Sequence, residues 1–146
     1  MKTPRNLGLL ALTAFVISHF LPAYNNGSGF ACFSHCWSTL LKPDFSDGSW
    51  FYYSGLAICN ILFVGLVAAL FLTEAGRKLR SIVSGALFLH VFSWLVSHLF
   101  GQSSEIAEIK IGYYVWLFAY GLLVAAHLSK ERVESPGSIP LARSVV

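Results

Sequence analysis

Long apolar stretches separated by short polar segments dominate this sequence. Four of them, at residues 7–24, 51–72, 82–100 and 111–128, each contain 18 to 22 residues and no Asp, Glu, Lys or Arg. An α-helix rises about 1.5 Å per residue, so about 20 residues cross the roughly 30 Å hydrocarbon core of a bilayer. The pattern therefore predicts an all-α membrane protein built as a bundle of four transmembrane helices.

The composition agrees with a protein surrounded by lipid. Of the 146 residues, 55% are hydrophobic and only 12% are charged, and the mean hydropathy is +0.64. A soluble domain carries about 25% charged residues, because its surface must face water. The lipid bilayer is therefore the first partner that the sequence predicts.

The basic residues are distributed unevenly about the four stretches. Lys and Arg are retained on the cytoplasmic side of a bilayer, and this bias orients a helical bundle. Eight of the ten basic residues fall on one side of the predicted bundle. The formal net charge of +3 is therefore explained by membrane orientation, and no nucleic-acid partner is expected. We predict a multi-pass protein of the bacterial inner membrane with both termini in the cytoplasm. The eight are Lys2, Arg5, Arg77, Lys78, Arg80, Lys130, Arg132 and Arg143, against Lys42 and Lys110.

The first stretch also has an alternative interpretation. Basic residues, an apolar run and the segment Leu21-Pro22-Ala23 together resemble a secretory signal peptide. Leu21 is large for a cleavage site that prefers small residues, and the apolar run is long, so a retained helix is the favoured interpretation.

The segments outside the four stretches are short. Residues 25–50 begin with a turn-rich linker and continue with Phe33, Trp37, Leu40 and Leu41 at helical spacing. This spacing predicts a short helix lying in the outer membrane interface and ended by Pro43. The chain is predicted to be a single transmembrane domain, residues 1–130, followed by a disordered cytoplasmic tail, residues 131–146.

Small and polar residues within the stretches predict where the helices pack. Small side chains let helices approach closely, and hydroxyl or amide groups form hydrogen bonds between them. Aromatic residues near the outer ends, such as Tyr113 and Trp116, are typical of an interfacial anchoring belt. The predicted packing residues are Asn60, Gly65, Ala69, Ala86, Ser93, Ser97, Gly121 and Ala125.

Histidine and cysteine are the candidate chemical groups. An ionisable residue inside a membrane is a functional candidate by default, and His90 lies near the middle of its predicted helix. His19 and His98 fall at similar depths near the outer face, so these three histidines are candidate haem ligands. Imidazole and thiol groups also suit Zn or Cu. The candidate metal ligands are His19, His35, His98, Cys32 and Cys36.

The two cysteines in the outer segment have a plainer interpretation. In an oxidising compartment Cys32 and Cys36 are candidates for a disulfide bond. Their Cys-x-x-x-Cys spacing differs from the usual zinc knuckle. Structural histidines are also common, so the metal and haem hypotheses stay alternatives.

Three segments carry a resemblance. FLPAY ends the first stretch, CWSTLLKP lies in the outer segment, and IGYYVW opens the last stretch. In this order they resemble a group of uncharacterised bacterial four-helix inner-membrane proteins. The resemblance covers most of the chain and implies the four-helix topology; it implies no activity.

The sequence shows no catalytic pattern. It has no glycine-rich phosphate loop, no GxSxG motif and no carboxylate within an apolar stretch. The favoured hypothesis is a non-enzymatic accessory or interaction subunit, for example of the immunity type, that contacts another membrane protein or a copy of itself. The alternative is a membrane redox, metal-binding or haem-binding protein that uses the outer His and Cys residues.

Overall fold

The computed structural model describes residues 4–46, 49–72, 76–101 and 108–129. This part of the chain is mostly helical, as the hydrophobic pattern predicts, and it contains five helices and two short strands. The predicted tail, residues 131–146, lies outside the described residues. The elements are α1 (Pro4–Phe20), β1 (Pro22–Tyr24), β2 (Gly27–Ser28), α2 (Gly29–Leu41), α3 (Ser49–Leu72), α4 (Arg77–Gly101) and α5 (Ile111–Leu128).

Within the part of the chain that the structure describes, three helices are long and apolar enough to cross a membrane, at Trp50–Leu72, Arg77–Ser97 and Ile111–Leu128. Helix α5 coincides with the predicted stretch 111–128, and α3 begins two residues before its predicted stretch. Helix α4 starts at Arg77, five residues before its predicted stretch. The prediction ended where charged residues begin, but Arg and Lys favour a helix and extend it. The short helix predicted in the outer segment is α2.

Helix α1 is shorter than its predicted stretch. It has 17 residues and ends at Phe20, four residues before the expected boundary. Pro22 disfavours helical geometry at Leu21, and the chain continues as strand β1. A tight turn at Asn25, with a φ of 50°, then reverses the chain into the antiparallel strand β2.

This hairpin closes one end of the bundle, which we call the hairpin end. The amide of Asn25 donates to the carbonyl of Glu108 at 2.7 Å, and the amide of Lys110 donates to the carbonyl of Ala23 at 2.9 Å. Tyr24 also forms a β-bridge with Ile109. The hairpin therefore links the end of α1 to the start of α5.

Helix α1 lies along α5 and extends over the depth of the bundle. At one end, a Cβ added to Gly8 would meet the side chain of Leu70, which is near the end of α3, at 2.6 Å. At the other end, a Cβ added to Gly112 on α5 would lie 2.7 Å from the carbonyl oxygen of Pro22. These close approaches fix α1 against two neighbouring helices.

The core lies between α1, α3 and α5. Phe15 stacks on Phe63 with ring centroids 4.3 Å apart, and Phe63 contacts Tyr120 at 4.8 Å. Phe63 and Tyr120 have no exposed surface. Large apolar side chains on the outside of every long helix are exposed, for example Leu9, Ile61, Leu89 and Phe118, as expected where lipid covers a bundle.

The opposite end of the bundle is held by α4, and we call it the arginine end. The guanidinium group of Arg77 donates to the carbonyl of Ser129, and that of Arg80 donates to the carbonyl of Ala69. Carbonyls in the last turn of a helix have no partner within the helix, and basic side chains can satisfy them. The two arginines therefore connect the start of α4 to the ends of α3 and α5.

Candidate functional site

A cavity of about 410 Å³ lies at the hairpin end, between strand β1 and all five helices. Small-molecule sites occupy about 300–1,000 Å³, so its volume suits a small ligand. Among the described residues that line it, none is Asp, Glu, Lys or Arg. Six aromatic side chains form much of the wall: Tyr24, Phe33, Tyr53, Trp94, Tyr113 and Trp116.

Asn60 of α3 is a polar residue of the cavity wall that takes part in three hydrogen bonds. Its Oδ1 accepts hydrogen bonds from Nε1 of Trp116 at 2.9 Å and from the hydroxyl of Tyr120 at 3.3 Å. Its Nδ2 donates to the carbonyl of Leu56 at 3.1 Å. Asn60 is only 6% exposed, and the two bonds to its Oδ1 connect α3 to α5 at the cavity wall.

His19 enters the wall from the last turn of α1. Its Nδ1 lies 2.8 Å from the carbonyl oxygen of Phe15. A carbonyl can only accept, so Nδ1 carries the hydrogen, and in the neutral ring Nε2 is then an acceptor. The ring is also held between Phe15 and Phe33, with centroid distances of 4.7 Å and 5.7 Å.

Helix α2 supplies Cys32, His35 and Cys36 to the same cavity. Ser28 caps this helix by accepting a hydrogen bond from the amide of Ala31 at 3.3 Å. The ring of His35 meets that of Tyr53 edge-on at 5.5 Å. Helix α2 therefore brings three of the predicted metal ligands to the cavity that also contains His19.

Both cavity cysteines are free thiols in the structure. Burial, together with the nearby Cys32, raises the pKa of Cys36 to about 11, and burial likewise raises the pKa of Cys32. The thiolate is the reactive form of cysteine, so these raised pKa values disfavour attack by either thiol near neutral pH. The disulfide between them stays a prediction from sequence.

The arrangement of the cavity residues gives limited support to the metal hypothesis. Among the described residues, no group of three or more His, Cys, Asp or Glu side chains is arranged to hold a metal ion. The hydrogen bond from Nδ1 of His19 to a backbone carbonyl does resemble the arrangement that orients a metal-ligating histidine. A haem, Zn or Cu ligand role for His19 or His35 therefore stays a prediction.

His90, another candidate histidine, is not among the described residues that line the cavity. His90 of α4 packs against α3, where a Cβ added to Gly55 would lie 2.7 Å from its Nε2. Its ring also lies 5.4 Å from that of Tyr52, and its Nε2 is buried without a hydrogen-bond partner. Nothing is described of the side chain of His98.

The predicted packing residues fall into two groups. Asn60 connects helices, and a Cβ added to Gly121 would lie 3.8 Å from Phe88. The carbonyl of Ala69 accepts from Arg80. A Cβ added to Gly65 would meet nothing within 4 Å. The side chains of four others are exposed: Ala86, Ser93, Ser97 and Ala125. Of these four, Ser93 also contacts α3, because its hydroxyl lies 3.5 Å from that of Tyr52.

The aromatic wall includes residues for which the sequence pattern predicts a different role. The belt prediction is wrong for Tyr113, which is only 5% exposed and donates its hydroxyl to the carbonyl of Val91 at 2.8 Å. Trp94 packs on Tyr113 at 4.8 Å. The available signal was the shared face of Tyr113, Trp116 and Tyr120 on α5, because a face with that many polar tips needs partners inside the bundle.

Comparisons with known proteins add no name to this geometry. No protein-family model, no curated protein and no solved structure matches the chain.

Proposed function

We propose that this chain is a membrane protein with four transmembrane helices, α1, α3, α4 and α5, and that its outer cavity binds a small apolar molecule. The observation that carries the proposal is the cavity of about 410 Å³, whose wall is mostly apolar, includes six aromatic side chains and contains no acidic residue, Lys or Arg among the described residues. Apolar pockets with a few placed polar groups are the usual form of a small-molecule site.

Helix α1 is the proposed fourth transmembrane helix, beside the three candidate spans α3, α4 and α5. Its 17 residues correspond to about 25 Å at 1.5 Å per residue, which is near the lower limit for a transmembrane helix. It runs beside α5 from the arginine end to the hairpin end, and this supports a fourth span at the depth of its neighbours. The resemblance to four-helix inner-membrane proteins supports the same topology.

The charges favour a cytoplasmic arginine end. Lys and Arg accumulate on the cytoplasmic side of membrane proteins. Among the described residues Arg5, Arg77, Lys78 and Arg80 are at the arginine end, whereas Lys42 and Lys110 are at the hairpin end. This orientation puts both termini in the cytoplasm and the cavity in the outer half of a bacterial inner membrane.

Helix α2 supports this depth for the cavity. Its inner side contributes Cys32 and Cys36 to the cavity wall. On its outer side Phe30, Trp37 and Leu41 form one exposed apolar strip, with exposed fractions of 62%, 38% and 64%. A helix that packs on a bundle and still exposes an apolar strip suits the membrane interface.

Binding fits the site better than catalysis. The buried thiols have raised pKa values, so they are poor nucleophiles near neutral pH. The polar atoms of Asn60 and the hydroxyl of Tyr113 are engaged by other groups of the protein. Apart from these engaged polar groups, the cavity is an apolar volume in which a small ligand can bind.

Binding of the uncharged fluorophore N-phenyl-1-naphthylamine tests this proposal. The protein is reconstituted in lipid nanodiscs with Trp37→Phe and Trp50→Phe, so that only Trp94 and Trp116 of the cavity remain to transfer energy to the probe. We expect saturable energy transfer. The variant Ala31→Phe, which adds a ring beside the cavity, should reduce the transfer several-fold.

Ser34→Phe is the matched control for that variant. Ser34 lies on the exposed side of the same helix and is not part of the cavity wall, so the same ring placed there should leave binding unchanged. Non-saturable transfer that is equal in all variants would show that the probe dissolves in lipid only, and would overturn the proposal.

A second role, as an accessory subunit, is favoured by the outer surface of α4. Ala86, Ser93 and Ser97 are exposed, and the two serine hydroxyls donate to carbonyls of their own helix at 2.6 Å and 2.9 Å. Small residues on a helix surface permit close approach of another helix. The candidate partner is another membrane protein or a second copy, as in an immunity-type interaction.

Mild detergent extraction tests the accessory role. We expect a stoichiometric membrane partner or a dimer to be recovered, and Ala86→Phe on the α4 surface to release it. The control Leu89→Phe alters an already large exposed residue of the same helix and should retain the partner. Recovery of a solitary monomer would contradict this role without affecting the cavity.

A further inference from the structure

We infer that the cavity selects an uncharged, ring-bearing amphipathic molecule with a hydroxyl group, and that this hydroxyl donates a hydrogen bond to Nε2 of His19. This inference rests on the proposed binding function and specifies the class of its ligand. Three properties of the wall lead to it: its lack of charged side chains, the way its donors are already used, and its aromatic surface.

The lack of charged side chains excludes an ionic headgroup. Burying a carboxylate, phosphate or ammonium group without an opposite charge is far more costly than burying a neutral polar group. Among the described residues of the wall there is no Lys or Arg to hold an anion and no Asp or Glu to hold a cation. An uncharged molecule avoids that cost.

Several donors of the wall are already bonded to acceptors within the protein. The hydroxyl of Ser18 donates to the carbonyl of Phe15 at 2.6 Å, and that of Tyr113 donates to Val91 at 2.8 Å. Nε1 of Trp116 donates to Asn60. A ligand group that can only accept hydrogen bonds would therefore have to compete with these existing bonds.

His19 offers the complementary group. Its Nδ1 donates to the carbonyl of Phe15, so Nε2 of the neutral ring is an acceptor, and among the described residues it has no partner. Phe15 and Phe33 hold the ring in this orientation. A hydroxyl on the ligand supplies the hydrogen that this nitrogen lacks.

The aromatic wall favours a ring in the ligand. Aromatic rings stabilise one another through stacked and edge-on contacts beyond the effect of burial alone. Trp94, Tyr113 and Trp116 already form such contacts, with centroid distances of 4.8 Å and 5.8 Å along the series. A planar ligand ring can join this group, whereas an alkyl chain gains from burial only.

Three alkylated benzenes test the inference in the nanodisc assay: 4-octylphenol, its methyl ether 4-octylanisole, and the anion 4-octylbenzoate. All three share the ring and the chain, and they differ only in the group offered to His19. Each competes with N-phenyl-1-naphthylamine. We expect the phenol to displace the probe about two- to tenfold more strongly than the ether, which is the range for one neutral hydrogen bond. The carboxylate should be the weakest.

Two substitutions of His19 assign the preference to its ring nitrogen. His19→Phe keeps an aromatic ring but removes the acceptor, so the phenol and the ether should become equal competitors while the probe still binds. His19→Gln places an amide oxygen near the position of Nε2 and should restore part of the preference. Retained probe binding shows that each variant is folded.

The outcomes separate this inference from the function beneath it. If no probe binds saturably in any variant, the binding function itself fails. If the probe binds but the ether competes as well as the phenol, or the carboxylate competes best, the ligand class is wrong although a cavity ligand exists. A phenol preference that persists in His19→Phe would overturn the role of His19.

Discussion

At the scale of single residues, Asn60 shows how one polar group organises the bundle. Its Oδ1 accepts from Trp116 and Tyr120 of α5, whereas its Nδ2 donates to Leu56 of its own helix, so the oxygen links two helices and the amide nitrogen fixes the side chain. Its sequence position predicted an interhelical contact. The identities of its partners depend on how α3 and α5 face each other, which one sequence does not specify.

Replacing Asn60 with Leu should destabilise the protein by about 1–2 kcal/mol, because two buried donors lose their acceptor. In a double-mutant cycle with Trp116→Phe, we expect a coupling energy of about 0.6 kcal/mol, the average for polar pairs inside a membrane, and at most about 1.7 kcal/mol. Unfolding in mixed detergent micelles measures both values. Ile61→Ala, at an exposed neighbour, is the control, and a coupling near zero would contradict the bond.

The thiol of Cys36 should react slowly. Burial raises its pKa to about 11 from an ordinary value of 9.0, so near pH 7 its thiolate fraction is about a hundredfold lower than in an unfolded chain. Because the raised pKa favours the neutral thiol, the alkylation rate should increase about tenfold for each pH unit between 7 and 10.

Mass spectrometry after iodoacetamide treatment measures this rate in a variant with Cys32→Ser and Cys59→Ser. The unfolded protein in denaturant provides the reference rate at each pH. A fast, pH-independent reaction in the folded protein would contradict the raised pKa of Cys36. It would then favour the alternative of a membrane redox protein that uses the outer cysteines.

At the scale of the elements, the helices follow from the sequence and their close contacts do not. The uncharged stretch 111–128 predicts the bounds of α5, and Pro43 predicts the end of α2 to within two residues. The hairpin after α1 was not foreseen, because an apolar Leu-Pro-Ala-Tyr segment fits a helix end as well as a strand. Its pairing with residues 108–110 decides in favour of the strand.

Glycines at close approaches provide a test at this scale. In Gly112→Ala the new Cβ would lie 2.7 Å from the carbonyl oxygen of Pro22, so we expect a loss of about 1–3 kcal/mol from forced displacement of the backbone. Gly65→Ala is the matched control, since nothing lies within 4 Å there and alanine favours the helix.

The same unfolding assay in mixed micelles compares the two variants. We expect Gly65→Ala to be neutral or slightly stabilising. Equal effects of the two substitutions would show that the hairpin does not press on the start of α5.

At the scale of the whole molecule, the two ends of the bundle should face opposite sides of the membrane. The test uses a protein whose native cysteines are replaced by serine and that carries a single cysteine at Ser46 or at Lys78, both of which are exposed. In intact cells a membrane-impermeant maleimide should label Ser46→Cys. It should label Lys78→Cys only after permeabilisation.

Labelling of both variants in detergent controls for the reactivity of each site. The reverse pattern would place the arginine end outside and would contradict the proposed orientation. Labelling of both sites in intact cells would contradict a four-span bundle.

The sequence by itself determined that this chain is helical and apolar enough to cross a membrane, because apolar run length and charge content are local properties. It also placed Cys32, His35 and His19 near one end, because depth follows from position along a helix. Only the tertiary structure decided that they surround one cavity with Asn60, Tyr113 and Trp116, since lateral packing fixes which faces meet. The same packing directs His90 toward α3, so it is not among the described residues of the cavity wall. It also turns Tyr113 into the bundle, because a buried hydroxyl needs an acceptor and the carbonyl of Val91 on α4 provides one.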